Sequence, residues 1–307
     1  MAKPKTIAAI EPNVGLRNKL AKRITQICQA LTKYAERQIV ADLLDKGLLQ
    51  DAPAEPMGMD AAPELTPHER ALLAQARRSV RVNDPAAAVQ HIDAYVAERL
   101  ARWMIAAGEN ARAVSYWFVR AVAQNVTASQ RRALTAAGIS PAQLRERWSV
   151  PLVRQHVSPA AAKLVPEIVD TMTGLITKMQ ADDLSRLRET MVEGIQNGQS
   201  MNDIETILKQ SKGFTEARAK RVALDQSCKV NQSIQRANAK DLGIKSGFWV
   251  HIPGRYSSRP THVDMNGKEF NLDEGLYDSA VEANVLPGQL PFCRCSFRLK
   301  LPAYSRE

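Results

Sequence analysis

Residues 237–252, ANAKDLGIKSGFWVHI, decide the fold. Upstream of residue 245 apolar positions recur at helical spacing; beyond it that period stops, and Gly, Pro, aromatics and alternating patterns take over. SGFWVHI (246–252) and CSFRLKL (295–301) read as strands, with Phe297, Leu299 and Leu301 alternating with Ser296, Arg298 and Lys300. PGRYSSRP, MNGK and LPGQLP between them carry turn chemistry. The chain therefore predicts as mainly α: an extended helical body with a small C-terminal α+β module of about sixty residues.

Working back from that boundary, residues 16–46 predict one long helix. Leu16, Leu20, Ile24, Ile27, Leu31 and Tyr34 recur three or four apart with Lys and Arg between them, and Gly47 supplies a stop. DAPAEPMGMDAAPELTP (51–67) has no sustained period and reads as a linker. Helical patterning resumes near His68, with Thr66 and Pro67 as a start signal. A second block covers residues 84–126, TASQRRALTAAGI (127–139) and SPAQLRERW (140–148) read as short capped helices, and a third block from Ser158 is interrupted at Pro166. This gives four segments: an N-terminal basic helix (1–46), a linker (47–66), a helical body (67–184), and a helical lead-in with the α+β module (185–307).

A net charge of +10 suits a polyanionic partner, most obviously nucleic acid. Residues 1–46 and 205–245 each hold nine Lys/Arg against four Asp/Glu, whereas residues 47–66 hold four acids and no base. Solvated helix faces explain the same pattern equally well. Four cysteines in so long a chain make no disulfide framework and point to a reducing compartment. Cys28 and Cys228, in helical patterns, read as small buried hydrophobes. The start has only a four-residue apolar run, too short for a secretory signal, and no stretch approaches the ~18 apolar residues of a membrane span. Trp103, Tyr116, Trp117, Phe118 and Trp148 read as core or helix-contact residues rather than base-stacking platforms. His68, His91 and His156 have no partner three or four residues on.

The unusual chemistry lies in RPTHVDMNGKEFN (259–271) and LPGQLPFCRCSF (286–297). Two thiolates, an imidazole and a carboxylate from His262, Asp264, Cys293 and Cys295 could complete a tetrahedral zinc shell, and zinc would help fold so small a module. Against this, Cys-x-Cys in an extended segment sends its side chains to opposite faces. A catalytic reading takes Cys and His as nucleophile and base, or His262 and Asp264 as base and orienter on one strand face. No phosphate loop or oxyanion turn accompanies them. The third reading is structural: His262 bonds a turn carbonyl, Gly267 and Gly288 supply positive φ, and Cys293 packs inside. The structural reading is preferred; it assigns no catalytic residue and no cofactor, with zinc kept as an alternative.

The same residues carry a resemblance. A helix, an aromatic strand beginning near a Gly and containing Trp249, Arg259-x-x-His262, the Met265–Gly267 turn, Pro287-Gly288 and Cys293-Arg-Cys295 follow one another as in the phage Mu F-like, or SPP1 gp7-like, head morphogenesis proteins. Residues 185–300 resemble that family, including a Gly198-x-Ser200 turn opening a helix. The family's acidic residue after the Trp strand and its ARTE-like segment are missing here. The resemblance implies a minor capsid, portal-associated virion protein of a tailed bacteriophage, made in the host cytoplasm and present in several copies around the portal. Its implied partners are portal and capsid proteins and non-specific double-stranded DNA, with no membrane in the mature head. Phosphate contacts of that kind are sequence-independent and strongly salt-sensitive. Two alternatives remain: a zinc- or His-dependent nuclease or hydrolase centred on the C-terminal module, and a sequence-specific DNA-binding protein, for which no helix-turn-helix stands out.

Overall fold

The computed structural model describes residues 5–45, 48, 64–152, 155–197, 201–253 and 258–301, with side chains undescribed at 44–45, 155 and 201–214. In chain order the elements are β1 (Thr6–Ile7), α1 (Val14–Asp45), α2 (Pro67–Arg81), α3 (Pro85–Ala136), α4 (Pro141–Arg147), β2 (Val150–Leu152) and β3 (Gln155–Val157). There follow α5 (Pro159–Gln196), α6 (Met201–Lys240), β4 (Ser246–Val250), α7 (Pro260–Asp264), β5 (Glu269–Asn271), β6 (Leu276–Asp278), β7 (Ala283–Val285) and β8 (Ser296–Lys300). The protein is mainly α, and its principal sheet is built mostly from C-terminal strands. Among the described residues no helix is long and apolar enough to cross a membrane.

Two compact units divide the chain. The first comprises Met1–Ala21, Val114–Met172 and Lys220–Glu307; the second comprises Lys22–Ala113 and Thr173–Ala219. In the second unit α1 buries a stripe of Ile24, Cys28, Ala35, Ile39 and Leu43 at helical spacing. From Ala35 on, these residues pack with Leu72, Leu73, Tyr95, Trp103, Leu184 and Leu187. The N-terminus of α2 is fixed as its sequence predicts. Thr66 accepts from the Glu69 N–H, Glu69 accepts from the Thr66 N–H, and Pro67 occupies the first helical turn. Glu69 is fully buried and also accepts from Arg102 at 2.7 Å, so its charge is paired inside.

The first unit holds the α+β module. Its four-stranded antiparallel sheet has the order β1-β8-β4-β5. Gly247 faces Leu299 and Trp249 faces Phe297 across the β4–β8 pair, the two segments read as strands from sequence. Trp249, Phe270, Phe297, Leu299 and Cys295 form one core with Trp148, Leu134 and Ile244. The final half of α6 is polar yet buried, and hydrogen bonds account for this. The Asn238 side chain donates to Thr127 and Gln130 and accepts from the Ser158 N–H, while the Asn238 backbone carbonyl accepts from the Trp148 indole. Gln235 donates to the Ile10 carbonyl and to Asn231. These bonds tie the module's leading helix to α3 and to the chain's beginning.

Several expectations need correction. Residues 127–136 are not a separate capped helix but the end of α3; the Thr127 hydroxyl is buried and accepts from Asn238 instead of capping. Pro166 does not interrupt α5. It removes one N–H from the ladder, but the surrounding turns stay anchored by buried Val165, Val169 and Met172. Val150–Leu152 and Gln155–Val157 pair as antiparallel strands β2 and β3, with no strand reading beforehand. The short helix α4 does begin at Ser140, through a Ser140–Gln143 capping box. The linker reading over 49–63 and the stop at Gly47 lie outside the described residues, as does the Gly198–Ser200 turn.

Candidate functional site: a His–Cys centre

Arg259-Pro260 opens α7, proline's fixed φ suiting the first helical position, and the Arg259 guanidinium donates to the Pro291 carbonyl at 2.9 Å. That short helix drives His262 into the module, where it is 2% exposed. Its two ring nitrogens face different partners. Nε2 lies 3.1 Å from Oδ2 of Asp278, and Nδ1 lies 3.3 Å from Cys293 Sγ and 3.6 Å from Cys295 Sγ. An ionised carboxylate only accepts, so Nε2 carries the proton and Nδ1 is the nitrogen turned to sulfur. The donor atoms of His262, Cys293 and Cys295 all lie within 4.8 Å of one another.

Each neighbour is itself held. Asp278 ends β6, pairs in register with Ala283, and accepts the Ala280 N–H at 2.9 Å. Burial pushes its carboxyl up, but the Ala280 N–H and His262 outweigh this and hold it below the usual carboxylate range. His262 is raised above an ordinary imidazole, chiefly by its hydrogen bond with Cys293, against the opposing effect of burial. Within the coupled thiol pair, contact with Cys295 draws Cys293 down while the same contact raises Cys295. Trp249, fully buried, stands edge-on to the His262 ring at 5.3 Å and to Phe270 at 5.9 Å. His251, just past β4, places Nδ1 3.6 Å from Cys295 Sγ and Nε2 3.0 Å from Ser258 Oγ.

The loop bearing the cysteines is pinned to α6. Gly288 has φ +79°, and a Cβ there would come 2.8 Å from Cγ of Gln232. Pro287 is buried beside it and accepts from Arg236 at 3.4 Å. Asp225 accepts the Phe292 N–H at 2.6 Å, and Ser296 donates to Gln232 at 3.3 Å.

His262, Cys293 and Cys295 therefore meet, but Asp264 does not join them. Residues 260–264 are helical rather than extended, so two residues rotate the side chain by more than half a turn, and Asp264 is exposed. Asp278 takes the place expected of Asp264. The Cys-x-Cys argument also changes, because β8 starts only at Ser296 and the cysteines lie in the irregular segment before it. Both sulfurs are thus free to converge. His262 bonds side chains rather than a turn carbonyl, Gly267 has φ +80°, and Cys293 is buried. His251 and Asp278 carried no sequence signal: one sat inside a strand pattern, and the other is sixteen residues from its partner.

Comparison with known proteins places this centre within one matching region. Residues 185–298 match the family described as Phage Mu protein F like protein. The chain is 28% identical over 90 residues to the uncharacterized protein YqbB of Bacillus subtilis (strain 168), covering 29% of this chain and 30% of that protein. It is 26% identical over 136 residues to an uncharacterized protein of Haemophilus influenzae, covering 43% of this chain and 29% of that protein. The chain thus spans less than a third of the length of these curated relatives. No solved structure gives a significant match. Residues 185–298, which contain every member of the His–Cys centre, are thus similar to the family described as Phage Mu protein F like protein.

Proposed function

We propose that this chain acts in head morphogenesis of a tailed phage, as a minor capsid protein of the virion that associates with the portal and with packaged DNA. The match of residues 185–298 to the Phage Mu F-like family is the observation that carries this reading. The net charge of +10 supports the DNA contact, since phosphate neutralisation by Lys and Arg needs no sequence-reading element. Such a protein assembles in the host cytoplasm and resides at the portal end of the head, in several copies beside portal and capsid proteins.

A hydrolase reading draws on Cys293, His262 and Asp278, which are linked in the order nucleophile, base and orienter. Cys293 is only 3% exposed, however, so a substrate has no open route to its sulfur and the assembly reading is preferred. Deleting the gene from the phage or prophage that carries it tests the proposal. The expected result is loss of infectious particles, restored by the gene supplied in trans. An unchanged yield of infectious particles would overturn it.

A further inference from the structure

We propose that Cys293, Cys295, His262 and His251 form a closed tetrahedral zinc centre, with Asp278 fixing the His262 ring from behind. Ligand spacing is the first support. With Zn–S near 2.3 Å and Zn–N near 2.0–2.1 Å, a sulfur and a nitrogen on one tetrahedral ion stand about 3.6 Å apart. Three of the four S···N separations are 3.3, 3.6 and 3.6 Å; His262, Cys293 and Cys295 already cluster within 4.8 Å of one another, while His251 reaches Cys295 alone and closes onto the ion as the fourth ligand. Sulfur–nitrogen hydrogen bonds have a similar length, so the spacing admits zinc, and the convergence of both sulfurs on one ring nitrogen is what favours it.

Ring orientation is the second support. Both histidines turn Nδ1 toward sulfur and have Nε2 held by a further group, His262 by Asp278 and His251 by Ser258. A ligating imidazole with its other nitrogen on a carboxylate is the usual outer arrangement of a zinc site, where it fixes tautomer and ring angle.

Charge is the third. Both thiols give up their protons to solvent on binding, and two thiolates with two neutral imidazoles cancel the dication, so the ion with its four ligands carries no net charge. The mixed sulfur–nitrogen set selects zinc over magnesium or calcium. All four positions are taken by protein and the sulfurs are buried, which makes the centre structural. It clamps the end of β4, α7 and the segment before β8, three pieces joined otherwise by loops and the shared apolar core. None of this depends on the head-assembly reading.

The full chain, made in zinc-supplemented cells and purified without chelator, should hold one zinc per molecule by elemental mass spectrometry. Cys293→Ser and Cys295→Ser should each lower the retained zinc at least about tenfold. Asp278→Asn should weaken zinc by about 10–100-fold in competition with a chelating dye, while Asp264→Asn leaves it unchanged. Cobalt(II) added alone to the metal-free chain should give the visible bands of a tetrahedral site and a thiolate charge-transfer band. A folded wild-type chain with no zinc, no such cobalt spectrum and four titratable thiols would overturn the proposal. A Cys293–Cys295 disulfide in the freshly purified chain would do the same. Because the deciding reading is taken on the unaltered chain, variants that fail to fold do not rescue the idea.

Discussion

Trp249→Ala is expected to destabilise the C-terminal module by about 3–5 kcal/mol, the usual cost of emptying a buried tryptophan site. Trp249 is fully buried, pairs across from Phe297, and touches the His262 and Phe270 rings edge-on. Its removal therefore opens a cavity between the sheet and the His–Cys centre. A loss of 3 kcal/mol is a large part of the roughly 5–15 kcal/mol that holds an ordinary domain. Hydrogen exchange reports it best, since the chain divides into two units and one melting midpoint would mix them. The amides of β4 and β8 should exchange at least about a hundredfold faster, while those of α2 stay within a few-fold, each tenfold being about 1.4 kcal/mol. Less than tenfold acceleration in β4 would mean that the module is not organised around this residue.

The second large effect separates two glycines with the same backbone conformation. Gly267 and Gly275 both have φ +80°, where any other residue costs roughly 1–2 kcal/mol. Around Gly267 an added Cβ meets nothing within 4 Å, so Gly267→Ala should cost that amount and no more. At Gly275 the same Cβ would run into the Val285 carbonyl, inside van der Waals contact. Gly275 bridges to Asn271 and leads into β6, which pairs with β7 and ends at Asp278. Gly275→Ala must then displace the β6–β7 hairpin, adding about 1–3 kcal/mol of overpacking. The measurement is hydrogen exchange in β6 and β7 together with the protection of the Asp278–Ala280 turn. Equal losses in the two variants would show that close approach at Gly275 plays no part.

Much of this architecture was legible because local rules agree with the global fold. The change of period after residue 245, the strand alternation of 296–301, and the caps at Thr66 and Ser140 each have a local cause, and each appears in the structure. The Arg259–His262 spacing, the glycines and Pro287 are legible as a framework by resemblance; in the structure Arg259 precedes α7, Gly267 and Gly288 have positive φ, and Pro287 accepts from Arg236. What escaped reading depends on contacts between distant residues. Pro166 was read as a break because local sequence does not show the buried flank that keeps α5 continuous. Asp264 is a partner for His262 only if a strand forms where α7 does, and one change of period moves a side chain to another face. His251 was read only as a strand position, and its approach to Cys295 depends on loops whose course no periodicity fixes. The polar buried face of α6, with Asn231, Gln235 and Asn238 at spacings of four and three, is visible as a pattern, yet its partners on α3 lie more than a hundred residues away.

The most direct test of the account is quantitative mass spectrometry of purified particles from the phage that encodes this chain, calibrated against its portal protein. A minor head protein at the portal predicts that it is present at no more than the copy number of the portal protein, and far below the major capsid protein. Complete absence from DNA-filled particles, or abundance matching the major capsid protein, would contradict that assignment.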